Sequence, residues 1–181
     1  MMRRERYSKI IIIFFLTFFV WSTSQFLAPI ALPKNSVKDL SGLTGVSDNE
    51  EIIKKMPVPW NSVYRCGDIL CHQKADRSFF INGNQMPFCA RCTAIWLGIA
   101  IGLGFMVLYK VELDNKFLIL VIIGILPIGI DGMGQLFHLW ESNNVIRVIT
   151  GSFIGIICGI AIGLITEEIK TISTLNKTKD N

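Results

Sequence analysis

Four long apolar blocks divide this chain, and most of its charge lies between or beyond them. A hydrocarbon core about 30 Å thick takes roughly 20 helical residues to cross. Only helices and closed barrels satisfy their own backbone in lipid. Blocks of this length therefore predict an all-α integral membrane protein with four transmembrane helices and one sizeable Cys/His-containing extracytoplasmic loop. The segments read as a basic cytoplasmic N-terminus (1–9), a first transmembrane helix (10–31), the loop (32–91), a three-helix membrane core (92–165) and a cytoplasmic tail (166–181). The net charge of +4 is modest. No basic stripe carries interleaved aromatics, which argues against nucleic-acid binding.

The first block, Ile10 to Ala31, has Ser, Thr and Gln as its only polar residues. A basic start and Ser22-Thr23-Ser24 also fit a signal peptide. Apolar character resumes at Phe26-Leu27-Ala28, which favours a retained helix. Arg3, Arg4 and Arg6 place the N-terminus in the cytoplasm by the positive-inside rule. Four crossings then return the C-terminus to the same side, with Lys110–Lys116 as an inner loop.

In the long loop, Pro33 to Glu51 is polar, contains Gly42 and Gly45, and reads as mobile or loosely packed. A short helix follows from Asn61 or Ser62 to Leu70, with Val63, Cys66, Ile69 and Leu70 on one side. Arg77 to Ile81 suggests a strand, and Asn82-Gly83 a tight turn. The second membrane helix runs from about Cys92 to Tyr109. The third starts at Phe117, and its 14 uninterrupted apolar residues would reach only about 21 Å. It must continue past Asp131, as far as Gln135 or Trp140, with Pro127 as a kink site. Ser142-Asn143-Asn144 reads as a turn and cap, and the fourth helix as Val145 to about Ile165. Gly151, Gly155, Gly159 and Gly163 form a stripe suited to close packing against Gly98 and Gly102.

Two groups of residues carry the chemistry. Cys71, His72, Cys89 and Cys92 have the soft ligands zinc prefers, and CxxC is a common half-site. Cys66 or His138 are alternatives for the fourth position. The same CxxC at a helix N-terminus also suits redox work, because the helix dipole and Arg91 favour a thiolate. Four helices with an outer CxxC and a second pair, Cys66 and Cys71, resemble in architecture the disulfide-generating quinone reductases; that reading would bring a quinone as cofactor. Cys158, inside an apolar helix, reads as packing.

The second group surrounds Asp131. An ionisable side chain in a membrane helix is costly and calls for a partner, and Arg147 is the natural one. Helical rise puts Cys92, Gln135 and Arg147 at one height, with Asp131, Ile95 and Gly151 about a turn deeper. Either Asp131 and Arg147 form a structural clamp, or Asp131, Gln135, Asn144 and Arg147 line a pocket for a polar headgroup or ion. Asp131, Gln135 and Arg147 are the catalytic candidates if a reaction occurs. Arg77 and Arg91 offer forks for an anionic lipid phosphate, or pair with Asp68 or Asp76.

Cys71-His72-Gln73, Arg77-Ser78-Phe79, Pro87-Phe88-Cys89-Ala90-Arg91-Cys92-Thr93 and Gly98 together resemble an uncharacterised family of small prokaryotic membrane proteins. The likeness continues through Asp131-Gly132, Gln135, Ser142, Asn144, Arg147 and Thr150-Gly151. It covers about Tyr64 to Gly163 and implies no reaction. Cys66 lies outside the family pattern, so the resemblance favours three cysteines and a histidine around a metal over two redox pairs. The sequence thus points to a zinc-type site above a pocket for a small polar or lipid-linked ligand. The alternatives are a thiol-disulfide oxidoreductase and a structural or partner-binding subunit, homo-oligomers included, that assembles through the glycine faces.

Overall fold

The computed structural model describes residues 9–109, 111 and 113–179, the last seven by backbone alone. The basic start at residues 1–8 and Lys110 of the short loop expected to be cytoplasmic lie outside the described residues. Among the described residues six helices follow one another: α1 (Lys9–Ala31), α2 (Glu50–Ile53), α3 (Trp60–Leu70), α4 (Ala90–Leu108), α5 (Asn115–Leu136) and α6 (Asn144–Lys179). Between α3 and α4 lie a turn of 3-10 helix, Ala75–Arg77, and a two-stranded hairpin, β1 (Phe80–Ile81) and β2 (Asn84–Gln85). Four helices, α1, α4, α5 and α6, are long and apolar enough to cross a membrane.

The helix ends follow their local chemistry. The Asp114 carboxylate accepts from the backbone N–H of Phe117 at 2.8 Å and starts α5. Asn143 starts α6 in the same way, its side-chain oxygen accepting from Ile146 N–H at 2.9 Å. Helix α5 runs unbroken through Pro127 and passes Asp131, but stops at Leu136 rather than at Trp140. His138 takes a left-handed conformation (φ 56°), and the Leu139 N–H reaches back to Gly134 O at 2.9 Å. This closes the helix C-terminus. Helix α6 continues well past Ile165 to Lys179. The segment 166–179 contains no glycine or proline to stop it.

Helices α4 and α6 form the centre. A Cβ placed on Gly98 would lie 2.7 Å from Ser152 O and 2.9 Å from Gly155 Cα. One on Gly159 would lie 3.0 Å from Gly102 Cα. The two glycine stripes face each other, so close backbone approach takes the place of side-chain interdigitation. These faces are consumed within the chain and are not open for assembly. Ile99, Leu103, Met106, Ile160 and Leu164 seal the same interface, joined by Ile11 of α1 and Phe117 of α5.

The long loop is folded, including the stretch from Pro33 to Glu51 that reads as loose in the sequence. Val37 and Leu40 are buried with Ala28, Leu32, Ile53, Met56, Val63 and Tyr64. Asn84, fully buried, accepts from the backbone N–H groups of Ser36 (2.8 Å) and Val37 (3.0 Å). It donates to Pro29 O at 2.9 Å and Pro33 O at 3.0 Å. The buried Asp68 carboxylate accepts from Ser47 Oγ and from Asn49 Nδ2, both at 2.7 Å. Buried polar side chains thus satisfy backbone that a short, glycine-containing segment cannot pair with itself. The buried face of α3 is Val63, Tyr64, Gly67 and Asp68, while Ile69 and Leu70 point outward. The expected strand begins only at Phe80, and Asn82-Gly83 makes the turn with φ of 57° and 71°.

Candidate functional site

Cys89 is the extended residue that precedes α4 (φ −65°, ψ 161°), so Cys92 falls in the first turn of that helix. Cys71 is the extended residue that ends α3 (φ −141°, ψ 142°). The sulfurs of Cys71, Cys89 and Cys92 all lie within 4.8 Å of one another. Cys71 and Cys89 are each 4% exposed. Below them Trp21, Phe88 and Trp96 meet edge to face, with ring centroids 6.0 to 6.4 Å apart. The Gln73 side chain donates to Pro87 O at 2.7 Å and ties the Cys71 strand to the approach to α4. Gly67 allows that approach, because a Cβ there would meet the Pro87 carbonyl.

The backbone N–H of Cys89 donates to Cys71 Sγ at 3.4 Å. Hydrogen bonding from the Cys71 and Cys92 thiols drives the Cys89 pKa far below the ordinary thiol value. The same contact with Cys89 pushes Cys71 up to about 11. Thiolate character in the trio is therefore favoured at Cys89 over Cys71. His72 places Nδ1 4.0 Å from Cys71 Sγ, but it stands outside the group of three mutually close ligand atoms. Burial lowers its pKa, which favours the neutral imidazole. Cys66 packs beside the trio, and all five cysteines are free, so no disulfide joins Cys66 to Cys71. His138 is exposed and serves the end of α5.

Arg91, between the two cysteines of the CxxC, faces the other way. Its Nη2 donates to the Asp131 carboxylate on α5. The expected partner, Arg147, instead donates to Asn144 Oδ1 at 2.9 Å and Gln135 Oε1 at 3.3 Å. Gln135 Nε2 in turn donates to Asp131 at 3.1 Å, and Trp140 Nε1 does so at 3.4 Å. Arg91 takes Asp131 because α4 enters the bundle at the level of Gly151. A Cβ on Gly151 would lie 2.6 Å from Arg91 O. Asp131, Gln135, Asn144, Arg147 and Arg91 thus form one network, with Asp131 and Arg147 only 4% and 5% exposed. Arg77 lies at its edge, its Nε 3.6 Å from Asp76 Oδ2. Asp68 pairs with neither Arg77 nor Arg91, being engaged by Ser47 and Asn49.

Beside this network a cleft of about 600 Å³ opens between α5 and α6. Ile123, Leu126 and Ile130 line it on α5 and Ile146 on α6, with Asp131 and Thr150 at its polar end. Of the residues expected to line a polar pocket, Asp131 alone borders this cleft; Gln135, Asn144 and Arg147 lie in the network behind it. Sequence reasoning missed Trp140 as a partner of Asp131. Its signal was Gly134, since a Cβ there would collide with the Trp140 ring.

Four apolar helices, capped by a largely buried three-thiol cluster and joined by an Arg–Asp network, define a multi-pass membrane protein of the lipid bilayer. The chain belongs to the DUF2085 family of predicted membrane proteins, whose model matches residues 71–164. It is 32% identical over 158 residues to an uncharacterized protein of Methanocaldococcus jannaschii, covering 83% of this chain and 86% of that one. An uncharacterized protein of Methanothermobacter thermautotrophicus is 35% identical over 101 residues, covering 56% of this chain and 87% of the relative. No solved structure matches the chain. The matched segment begins at Cys71 and ends at Leu164, and so contains the whole trio and the whole network.

Proposed function

We propose that Cys71, Cys89 and Cys92 hold a zinc ion that fixes the loop over the Arg91–Asp131 network, where a small polar or lipid-linked ligand binds. The observation that carries this reading is the mutual proximity of three sulfurs within 4.8 Å. Tetrahedral zinc with Zn–S bonds near 2.3 Å needs sulfurs about 3.8 Å apart, so a small contraction suffices. The Cys89 N–H bond to Cys71 Sγ is the kind of outer-shell donor that supports a metal-bound thiolate. His72, neutral and 4.0 Å from Cys71 Sγ, is the nearest candidate for the fourth position. Three thiolates leave a poorly open metal, so its role is structural. The basic N-terminal residues orient the chain with both termini in the cytoplasm and the cysteine loop outside.

A thiol-disulfide oxidoreductase is the second reading. It is favoured by one observation, the CxxC at the N-terminus of α4, where Cys89 precedes the helix and Cys92 sits in its first turn. Elemental analysis of the purified protein together with thiol titration separates the two. One zinc per chain with three protected thiols supports the metal reading. No metal, with reversible Cys89–Cys92 disulfide formation, sinks it in favour of the redox one.

A further inference from the structure

Arg147 is a guanidinium on a membrane helix that is 5% exposed. Both of its hydrogen-bond partners are neutral amide oxygens, those of Asn144 and Gln135. Among the described residues no carboxylate lies within ion-pair distance of it, because Asp131 is engaged by Arg91. Around it stand Arg77 and Arg91 as like charges and Asp76 and Asp131 as opposite ones. Arg91 is paired with Asp131 and Arg77 with Asp76, which leaves Arg147 as the guanidinium of this group without a carboxylate partner. One buried donor points the same way, since Arg91 Nε has no hydrogen-bond acceptor, while Arg77 Nε faces Asp76 Oδ2 at 3.6 Å. Buried cations are normally paired, and arginine forks suit phosphate oxygens.

The cleft between α5 and α6 meets this cluster at Asp131, which lines the one and bonds the other. From Ile123 to Asp131 it runs about 12 Å along α5. That is close to one leaflet of a hydrocarbon core about 30 Å thick. The walls are aliphatic and the charge sits at one end.

We propose that the protein binds a phosphate-headed lipid, with the phosphate between Arg147, Arg77 and Arg91 and one chain in the α5–α6 cleft. This rests on the ligand-binding reading above and names its ligand class. The carboxylate-free Arg147 selects an anionic head without a compensating cation, and the aliphatic cleft selects a chain over a free ion.

The test is lipid binding by the purified full chain in detergent, read by native mass spectrometry and thermal shift. The probes are dioleoyl phosphatidic acid, dioleoyl phosphatidylcholine, dioleoylglycerol and inorganic phosphate. Phosphatidic acid is expected to bind at least about tenfold tighter than the other three. Arg147→Gln and the more exposed Arg77→Gln are each expected to weaken it by about tenfold, and Ile146→Trp to obstruct the chain. Equal binding of phosphatidic acid and phosphatidylcholine would overturn the proposal, as would undiminished binding by folded Arg77→Gln. Inorganic phosphate competing at the affinity of the lipid would overturn the choice of a lipid. Zinc content is measured separately on the same sample. Headgroup selectivity without zinc therefore counts against the metal alone, and zinc without selectivity against the lipid alone.

Discussion

Arg91 of α4 reaches across to Asp131 of α5, although Arg147 lies on the helix that packs against α5. The bond joins the two candidate centres, because Arg91 separates Cys89 from Cys92 while Asp131 borders the α5–α6 cleft. Removing either partner strands a largely buried charge. Asp131→Asn and Arg91→Gln are each expected to lower stability by about 1–3 kcal/mol. The double variant is expected to lose clearly less than the sum. A double-mutant cycle of unfolding in detergent checks this, and a coupling energy near zero would remove the bond from the account.

Metal removal gives a second prediction. Zinc must displace the proton that Cys71 holds through neutral pH, since its pKa is pushed up to about 11 by Cys89. Falling pH returns protons to the thiolates, so the metal is expected to leave as the solution is acidified toward about pH 5. Cys71→Ser, Cys89→Ser and Cys92→Ser are expected to abolish stoichiometric zinc. Cys66→Ser and Cys158→Ser are expected to retain it, both lying outside the trio. Zinc-to-protein ratios across pH and across the five variants provide the check.

The helix interface yields a third prediction. Gly98→Ala would drive a Cβ to 2.7 Å from Ser152 O and 2.9 Å from Gly155 Cα, both backbone atoms that cannot step aside. The cost is expected to be about 1–3 kcal/mol, as for other overpacked interfaces. At Gly129 nothing lies within 4 Å of an added Cβ. Gly129→Ala is therefore expected to be neutral or to stabilise by up to about 1 kcal/mol through helix propensity. Comparison of the two melting temperatures decides whether close backbone approach, rather than glycine content, sets the fold.

These residues also mark how far the sequence could be read. The four spans follow from block length, and the Asn82-Gly83 turn and the Asn143 cap from local chemistry. The facing glycine stripes were visible as a period of four. Relative height along the packed helices was legible within about a turn, because helical rise is fixed: Gln135 meets Arg147, and Gly151 meets Arg91. Lateral position was not. Two arginines of similar depth competed for Asp131, and which one won depended on how α4, α5 and α6 sit around one another. The stretch from Pro33 to Glu51 misled for another reason. Its order comes from Asn84 and Asp68, polar residues far along the chain whose burial no local pattern announces.

That last point is itself testable. Asn84→Ala removes the acceptor for the N–H groups of Ser36 and Val37 and the donor for Pro29 and Pro33. Buried groups left unsatisfied cost about 1–3 kcal/mol. The loss falls on the segment between α1 and α2, which has little secondary structure of its own to hold it. Lys34 and Lys38 are already exposed there, so what protects the chain from trypsin is its fixed backbone. Asn84→Ala is expected to raise the rate of tryptic cleavage at these two lysines at least about tenfold, by favouring local opening. The four-helix core, whose glycine interface lies elsewhere, is expected to stay intact and still melt cooperatively. Cleavage at the wild-type rate would mean that Val37 and Leu40 hold the segment by burial alone.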